Sequence, residues 1–413
     1  MTAPDRASPL PAVVRSGAIA WARRNLFKNV TDTIVTLVFA PVLLFALWRA
    51  ARYVFITGRW TIVRENLKLF VVGRYPADDV WYVAMGLIVF ATLAGLIAGT
   101  VHARAAAAAE NPHTPGVAER VRDLAGRLWA GLVAVLLMLA LAKTVTPWLV
   151  ALAALAAGVV ARMIGARLGP RALVPVLVTT VVVSGVMVWV LTIPVGWDEW
   201  GGLMLTMFLA VVSIGLCFPI GVVAALGRRS KLPIIRAIST GYIELFRGVP
   251  LFVLLLMANV ALGFFLPPSW PLPSTVVRAI VVFTLFTSAY VAEIVRGGLQ
   301  SLPRGQTEAG QALGMSPPRV TLFIVLPQAL RNVIPALVGQ FISLFKDTVL
   351  AGAAMGLLDI LSVAEAITQQ EQFRGQQLIA ETLAFVALVF WAGSYTMSNE
   401  SQRLEKKLGV GER

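Results

Sequence analysis

"GGLMLTMFLAVVSIGLCFPIGVVAALG", residues 201–227, holds no Asp, Glu, Lys, Arg or His from end to end. About 20 residues of helix cross the hydrocarbon core of a bilayer, so this run is long enough to do so alone. Residues 80–101, 172–197 and 248–277 are equally free of charge. A soluble chain of 413 residues with one large core would carry roughly a quarter of its residues as charges; this one is 14% charged and 58% hydrophobic. The fold class is therefore an all-α integral membrane protein with many spans.

About ten spans are expected, near residues 33–55, 80–101, 128–142, 146–160, 172–193, 203–226, 250–266, 275–294, 326–345 and 382–398. Prolines 267, 268, 271 and 273 break the chain between the seventh and eighth. The net charge of +14 belongs to loops that meet anionic lipid, and no nucleic-acid partner is expected. Arg15, Arg23, Arg24 and Lys28 precede the first span; Arg104, Arg120, Arg122 and Arg127 lie between the second and third. Arg162, Arg167 and Arg171 follow the fourth, Arg228, Arg229 and Lys231 the sixth, and Arg403, Lys406 and Lys407 the tenth. Placing all of them in the cytoplasm puts both termini inside. Residues 49–79 disagree, because Arg49, Arg52, Arg59, Arg64, Lys68 and Arg74 then fall outside; a small interfacial or folded element would account for them.

The lone Cys217 excludes an intrachain disulfide and a CxxC motif, and reads as a small packed side chain. The first apolar run lacks a small-residue cleavage signature, so a retained span is expected. Trp200, Trp270 and Trp391 fit interfacial anchors. Residues 1–197 are span after span of Ala, Val and Leu, with a low-complexity cytoplasmic linker near 102–127; distinctive polar spacing begins only afterwards. The division expected is an added region of about five helices at 1–197 and a functional core of five at 198–413.

The most particular loop of that core follows the eighth span: "GQTEAGQALGMSPPRVTLFIVLPQAL", residues 305–330. Ser301 and Pro303 predict a helix start, Gly314 a left-handed stop, and Ser316-Pro317 a second start. On a helix over 303–313, Glu308, Ala309, Ala312 and Leu313 share one face by i, i+3 and i+4 spacing. Ala309, Gly310 and Ala312 would keep that surface low for an approaching backbone, and Glu308 would supply a directional contact. This is the shape of a docking element.

The string Glu308-Ala309-Gly310-Gln311-Ala312-Leu313-Gly314, continuing to Ile324, Leu326, Pro327 and Gln328, resembles the EAA loop of ATP-binding-cassette importer permeases. "GYIELFRGVPLFVLLL" (241–256), "AYVAEIVRGGLQSLPRGQTEAGQALG" (289–314) and "LFKDTVLAG" (344–352) are similar to the polar amino acid branch of that family. The length and extra spans are similar to its general L-amino acid subgroup. Gly310 replaces the motif's second Ala, and Val349 stands where the family usually has Ser. The resemblance covers roughly residues 203–410. It implies a type I importer core with cytoplasmic coupling helices in an EAA loop at 297–327, ATPase contact through Gly305, Gln306, Glu308, Ala309, Gly310, Ala312, Leu313 and Gly314, and a bacterial inner-membrane location. It implies three kinds of partner: an ABC ATPase dimer, a second permease subunit (homologous or identical), and an extracytoplasmic amino acid binding protein. ATP and Mg would sit on the ATPase and no cofactor on this chain.

Two segments echo each other: Tyr242-x-Glu244-x-x-Arg247 and Tyr290-x-x-Glu293-x-x-Arg296. Charges at span ends are costly unless paired. Either each acid pairs with its own arginine at i, i+3, or the sets cross, Glu244 to Arg296 and Arg247 to Glu293; such ties could close a cytoplasmic gate. Lys346 and Asp347, at the outer end of the ninth span, and the two tyrosines are candidates for the substrate route, with a structural adjacent-ion reading beside it. The chain has no Gly-Lys pair and hence no P-loop. His102 and His113 are its only histidines, and no carboxylate pair or HExxH gives it catalysis or a metal site. The function expected is an ATP-driven L-amino acid importer subunit, not an enzyme. The alternative is an ion-coupled secondary amino acid transporter, which would place acids or histidines near mid-span.

Overall fold

A computed structural model describes residues 18–107 and 117–409; Arg15 and His113 lie outside them. The chain divides into two compact units, Met1–Arg59 and Trp60–Arg413.

The first unit carries α1 (Ala18–Asn25) and α2 (Val30–Arg52). Asn29 starts α2 by accepting a hydrogen bond from the Asp32 amide at 3.0 Å. A π-helical turn, Tyr53–Thr57, extends it, and Val30–Thr57 is apolar enough to span.

The second unit opens with α3 (Thr61–Glu65) and α4 (Leu67–Val72), inside the anomalously basic stretch. They are a folded element: Ile62, Val63, Phe70 and Tyr75 are buried. Then come α5 (Val80–Ala107), α6 (Val117–Leu141), α7 (Thr146–Leu168) and α8 (Leu173–Thr192). Glycines let α5 and α7 touch backbone to backbone; a Cβ on Gly95 would stand 2.2 Å from the Gly158 carbonyl oxygen.

The remaining helices are α9 (Gly202–Arg228), α10 (Pro233–Gly248), α11 (Leu251–Leu256), α12 (Leu262–Phe265) and α13 (Thr275–Gln300). Beyond them lie α14 (Gly305–Ala312), α15 (Pro317–Val320), α16 (Leu326–Asp347), α17 (Leu350–Met355), α18 (Ile360–Ile367) and α19 (Ile379–Leu408). The most buried is α13, whose Ala289, Val291, Ala292 and Val295 are fully enclosed. It packs on α9, α10 and α16.

Among the described residues, eight helical runs are long and apolar enough to span, and a ninth is counted if α10 and α11–α12 form one span bent by 101°. About ten were expected; the other expected spans are the third and the seventh. The third expected span lies on α6, whose apolar part is Gly126–Leu141 among the described residues; α5 and α7 pack in parallel, Gly95 on Gly158 and Gly99 on Arg162, so the chain returns between them. The seventh is broken, because α10 meets α11 at a sharp bend and the π-helical turn Met257–Ala261 separates α11 from α12. Carbonyls of that turn find another partner: Arg278 donates to those of Ala258 and Asn259 at 3.1 and 2.9 Å.

The end of the bundle away from the 305–330 loop is closed by backbone contacts. Gly202, at φ +57°, donates to the Leu358 carbonyl at 2.8 Å, and a Cβ there would meet the Phe70 carbonyl oxygen at 2.4 Å. Glycine alone combines that conformation with that approach. Asp359 is buried and caps α18, accepting from the Ser362 amide at 2.7 Å. Its second oxygen, Oδ2, is buried without a hydrogen-bond partner. Burial pushes its carboxyl up to about 6, with the Ser362 hydrogen bonds opposing. The Asn66 side-chain oxygen accepts from Gln370 at 2.8 Å, so the basic stretch is tied to the loop before α19. Trp200 is buried against Trp197 and Phe208, which corrects its reading as an interfacial anchor; Trp270 and Trp391 are exposed.

Candidate functional site

The 305–330 loop folds as two short helices. Its first, α14, starts two residues later than expected. Ser301 is not its cap but the C-cap of α13, donating its hydroxyl to the Gly298 carbonyl at 2.9 Å. The stop is as the sequence predicts. Gly314 sits at φ +79°, its amide donates to the Gln311 carbonyl at 2.9 Å, and the Met315 amide donates to the Gly310 carbonyl at 3.2 Å. That is a Schellman cap, which satisfies carbonyls that the helix end would otherwise leave bare.

Gly310 corrects the docking face. It is buried, and a Cβ there would stand 2.9 Å from Val320 Cγ2 and 3.1 Å from Ile324 Cδ1. Its missing side chain seats α14 on α15 and on the π-helical turn Thr321–Val325; it gives no clearance to an outside partner. Gly305, Gln306, Glu308, Ala309, Ala312, Leu313 and Gly314 are exposed. Leu322 and Phe323, on the turn after α15, are 50% and 72% exposed, and the sequence does not single them out. They lie on the π-helical turn Thr321–Val325, and no composition signal announces such a turn. The exposed face of α14 thus carries one carboxylate, Glu308, beside small Ala309 and Ala312 and an uncovered Leu313, 81% exposed.

At the same end of the bundle, the charged residues gather at Glu293 on α13. Its carboxylate accepts from Arg296 Nε at 2.9 and 3.0 Å and from Arg228 Nη1 at 3.2 Å, and lies 3.8 Å from Arg247 Nη1. Arg228 Nη2 reaches Glu244 Oε1 at 2.8 Å. The structure therefore takes one pair from each expected arrangement: Glu293–Arg296 at i, i+3, and the crossed Arg247–Glu293. Glu244 pairs with neither Arg247 nor Arg296 but with Arg228, a residue the sequence offers only as a loop cation. The network joins α9, α10 and α13. The Arg247 guanidinium also lies over the Tyr290 ring, 5.6 Å from its centroid.

The Tyr242 hydroxyl donates to the Leu285 carbonyl at 2.7 Å and touches the Ser288 hydroxyl; it is already engaged. Lys346 is exposed and Asp347 half-buried at the far end of α16, away from the Glu293 cluster. The structure brings Glu293, Arg247, Arg296 and Tyr290 together and leaves Lys346 and Asp347 apart from them.

The model of the family described as binding-protein-dependent transport system inner membrane component matches residues 217–408. The glutamate/glutamine/aspartate/asparagine transport system permease protein BztC of Rhodobacter capsulatus is 32% identical over 97% of this chain and 96% of that protein. The chain belongs to this family. It is a multi-pass inner-membrane permease subunit and not an enzyme. The inner membrane amino-acid ABC transporter permease protein YhdY of Escherichia coli is 31% identical to this permease over 98% of its length and 96% of that protein. A solved structure titled "Crystal structure of an amino acid ABC transporter with histidines" is 29% identical, covering 50% of the permease and 92% of that chain, with a TM-score of 0.44. The family's EAA segment corresponds to the α14–α15 loop, on which Glu308 is exposed and Leu313 is 81% exposed.

Proposed function

We propose that this permease moves L-amino acids inward across the cytoplasmic membrane and is driven by a separate ABC ATPase seated on α14 and α15. The observation that carries this reading is the exposed face of Glu308, Ala309, Ala312 and Leu313 on α14, ended by the Gly314 cap. An apolar patch with one carboxylate on a loop between spans fits a protein partner. The two relatives described above, which cover 97% and 98% of this chain, carry amino acid transport in their names.

In the proposed cycle, a loaded extracytoplasmic binding protein docks at the end closed by Gly202 and Asp359, a second permease subunit completes the pore, and both termini face the cytoplasm. ATP and Mg act on the partner ATPase, whose closure moves α14 and α15 and, through them, α13 and α16. The Glu293 cluster lies where that motion arrives and holds α9, α10 and α13 together in the closed state. Lys346 and Asp347 face the route by which substrate enters.

The test is uptake of radiolabelled amino acids into vesicles carrying the ATPase and the binding protein. Glu308→Lys and Gly314→Asp are expected to abolish ATP-driven uptake while the protein still inserts. If both variants couple hydrolysis to uptake as well as the wild type does, the assignment of this surface is wrong.

A further inference from the structure

Between α9, α10 and α13 lies a groove of about 420 Å³, walled by Pro219, Ile220 and Val223 of α9, Ile238 and Tyr242 of α10 and Leu285 of α13. Its walls are apolar apart from Ser239 and the Tyr242 hydroxyl, and that hydroxyl is turned onto the Leu285 carbonyl. An amino acid zwitterion would find no charge partner here. An alkyl chain would lose nothing by entering.

Charge gathers at the mouth. Arg229, Lys231 and Arg236 stand around the α9–α10 turn, all exposed and none in an ion pair among the described residues, because Glu244 and Glu293 are taken by Arg228 and its neighbours. Along α9, Arg229 lies about 9 Å from Val223 and about 15 Å from Pro219, at 1.5 Å per residue. The cations therefore sit at one end of the groove, and the groove runs from them toward the membrane interior. Ile234 and Ile238, 71% and 67% exposed, put an apolar edge on α10 beside Arg236. This is the composition of a helix lying at a bilayer surface.

We propose that this groove is a binding site for one anionic phospholipid, its phosphate held by Arg229, Lys231 and Arg236 and one acyl chain laid along Val223, Ile220 and Pro219. Juxtamembrane cations draw anionic lipid, and a preformed groove turns that attraction into a discrete site. Charge complementarity selects this occupant over a second copy of the chain. A two-fold contact through the same face would bring the two cationic turns together. The bound lipid would buttress α10 from outside, next to the Glu244–Arg228 tie. The leaflet follows from the coupling role proposed above, but lipid retention by the chain does not depend on it, so the two can fail separately.

The test is native mass spectrometry of the full chain purified in detergent and titrated with phosphatidylglycerol or phosphatidylcholine. The wild type is expected to retain one phosphatidylglycerol in preference to phosphatidylcholine. The triple change Arg229→Gln, Lys231→Gln and Arg236→Gln, all at exposed positions, is expected to lower that retention by about tenfold or more. Val223→Trp, which fills the groove from an exposed position and leaves the cations intact, is expected to lower it as well. Equal retention of both lipids, or full retention by the triple variant, overturns the proposal. So does displacement by millimolar inorganic phosphate, which would make the site one for free anions. Efficient disulfide crosslinking of Ile238→Cys chains, in a Cys217→Ala background, would put a second copy in the groove and equally overturn it.

Discussion

Replacing Glu293 by Gln keeps the shape of the side chain and removes the charge that Arg228, Arg247 and Arg296 share. The Glu293 side chain is 24% exposed, against 56% for Glu244. Removing one partner of a fully buried pair costs roughly 3–5 kcal/mol, whereas an exposed pair contributes about 1 kcal/mol or less. Glu293 lies between these limits but serves three guanidinium groups, so we expect Glu293→Gln to destabilise by about 2 kcal/mol. Glu244→Gln, losing only Arg228 at a largely exposed site, should cost about 0.5 kcal/mol. At roughly 2 °C per kcal/mol for a large chain, the difference is about 3 °C in the melting temperature of the purified protein in detergent. Salt provides an internal control. Three arginines left without their acid repel one another, so about 0.5 M NaCl should recover part of the loss in Glu293→Gln and little in Glu244→Gln. Equal melting temperatures for the two variants would refute the hub. The same geometry predicts that exchanging Glu293→Arg with Arg247→Glu fails to restore uptake, because Arg228 and Arg296 would then face a third cation.

Gly310→Val should displace α14 by its contact with Val320 and Ile324, lowering both the melting temperature and ATP-driven uptake. Ala309→Val, on the exposed face, should leave the melting temperature within about 1 °C and act on uptake alone, since surface changes rarely move stability; a matching loss of stability would place Ala309 inside. Asp359 gives a dependence on pH. Its folded value of about 6 lies above the ordinary 3.8, so the stability it contributes is fully present below pH 3.8 and is lost as pH rises to about 6. Two units correspond to roughly 3 kcal/mol. Asp359→Asn keeps an acceptor for the Ser362 amide and should lack that decline when melting is followed from about pH 4 to 7; parallel profiles for variant and wild type would count against it.

Much of the membrane class and the α14–α15 loop is legible in the sequence because both depend on local rules. An uncharged run such as 201–227 spans a bilayer wherever it sits in a chain. Gly314 ends α14 because few other residues take a left-handed cap, and the Ser316-Pro317 pair after it starts another helix. The acids and arginines of the Glu293 cluster stand out by their echoing spacing, although the spacing leaves their partners undecided.

Other features were settled by neighbours distant in sequence. The smallness of Gly310 was plain, but its direction was not: a small residue on a short helix serves an outside partner or its own chain, and Val320 with Ile324 decided for the chain. Arg228 reads as one more loop cation until α9 is placed beside α10 and α13, where Glu244 and Glu293 come within reach. The basic stretch around Arg64, Lys68 and Arg74 contradicts a simple count of charges by side; its resolution is burial of Ile62, Val63 and Phe70 against α18 and α19. Composition, hydropathy and caps determined the membrane class, α14 and its stop, because the free energy of each depends on a few adjacent residues and the solvent they meet. Which carboxylate meets which arginine, which face of α14 is covered and where the basic stretch lies were decided only by tertiary packing. Those energies exist only between residues that the fold brings within a few ångströms.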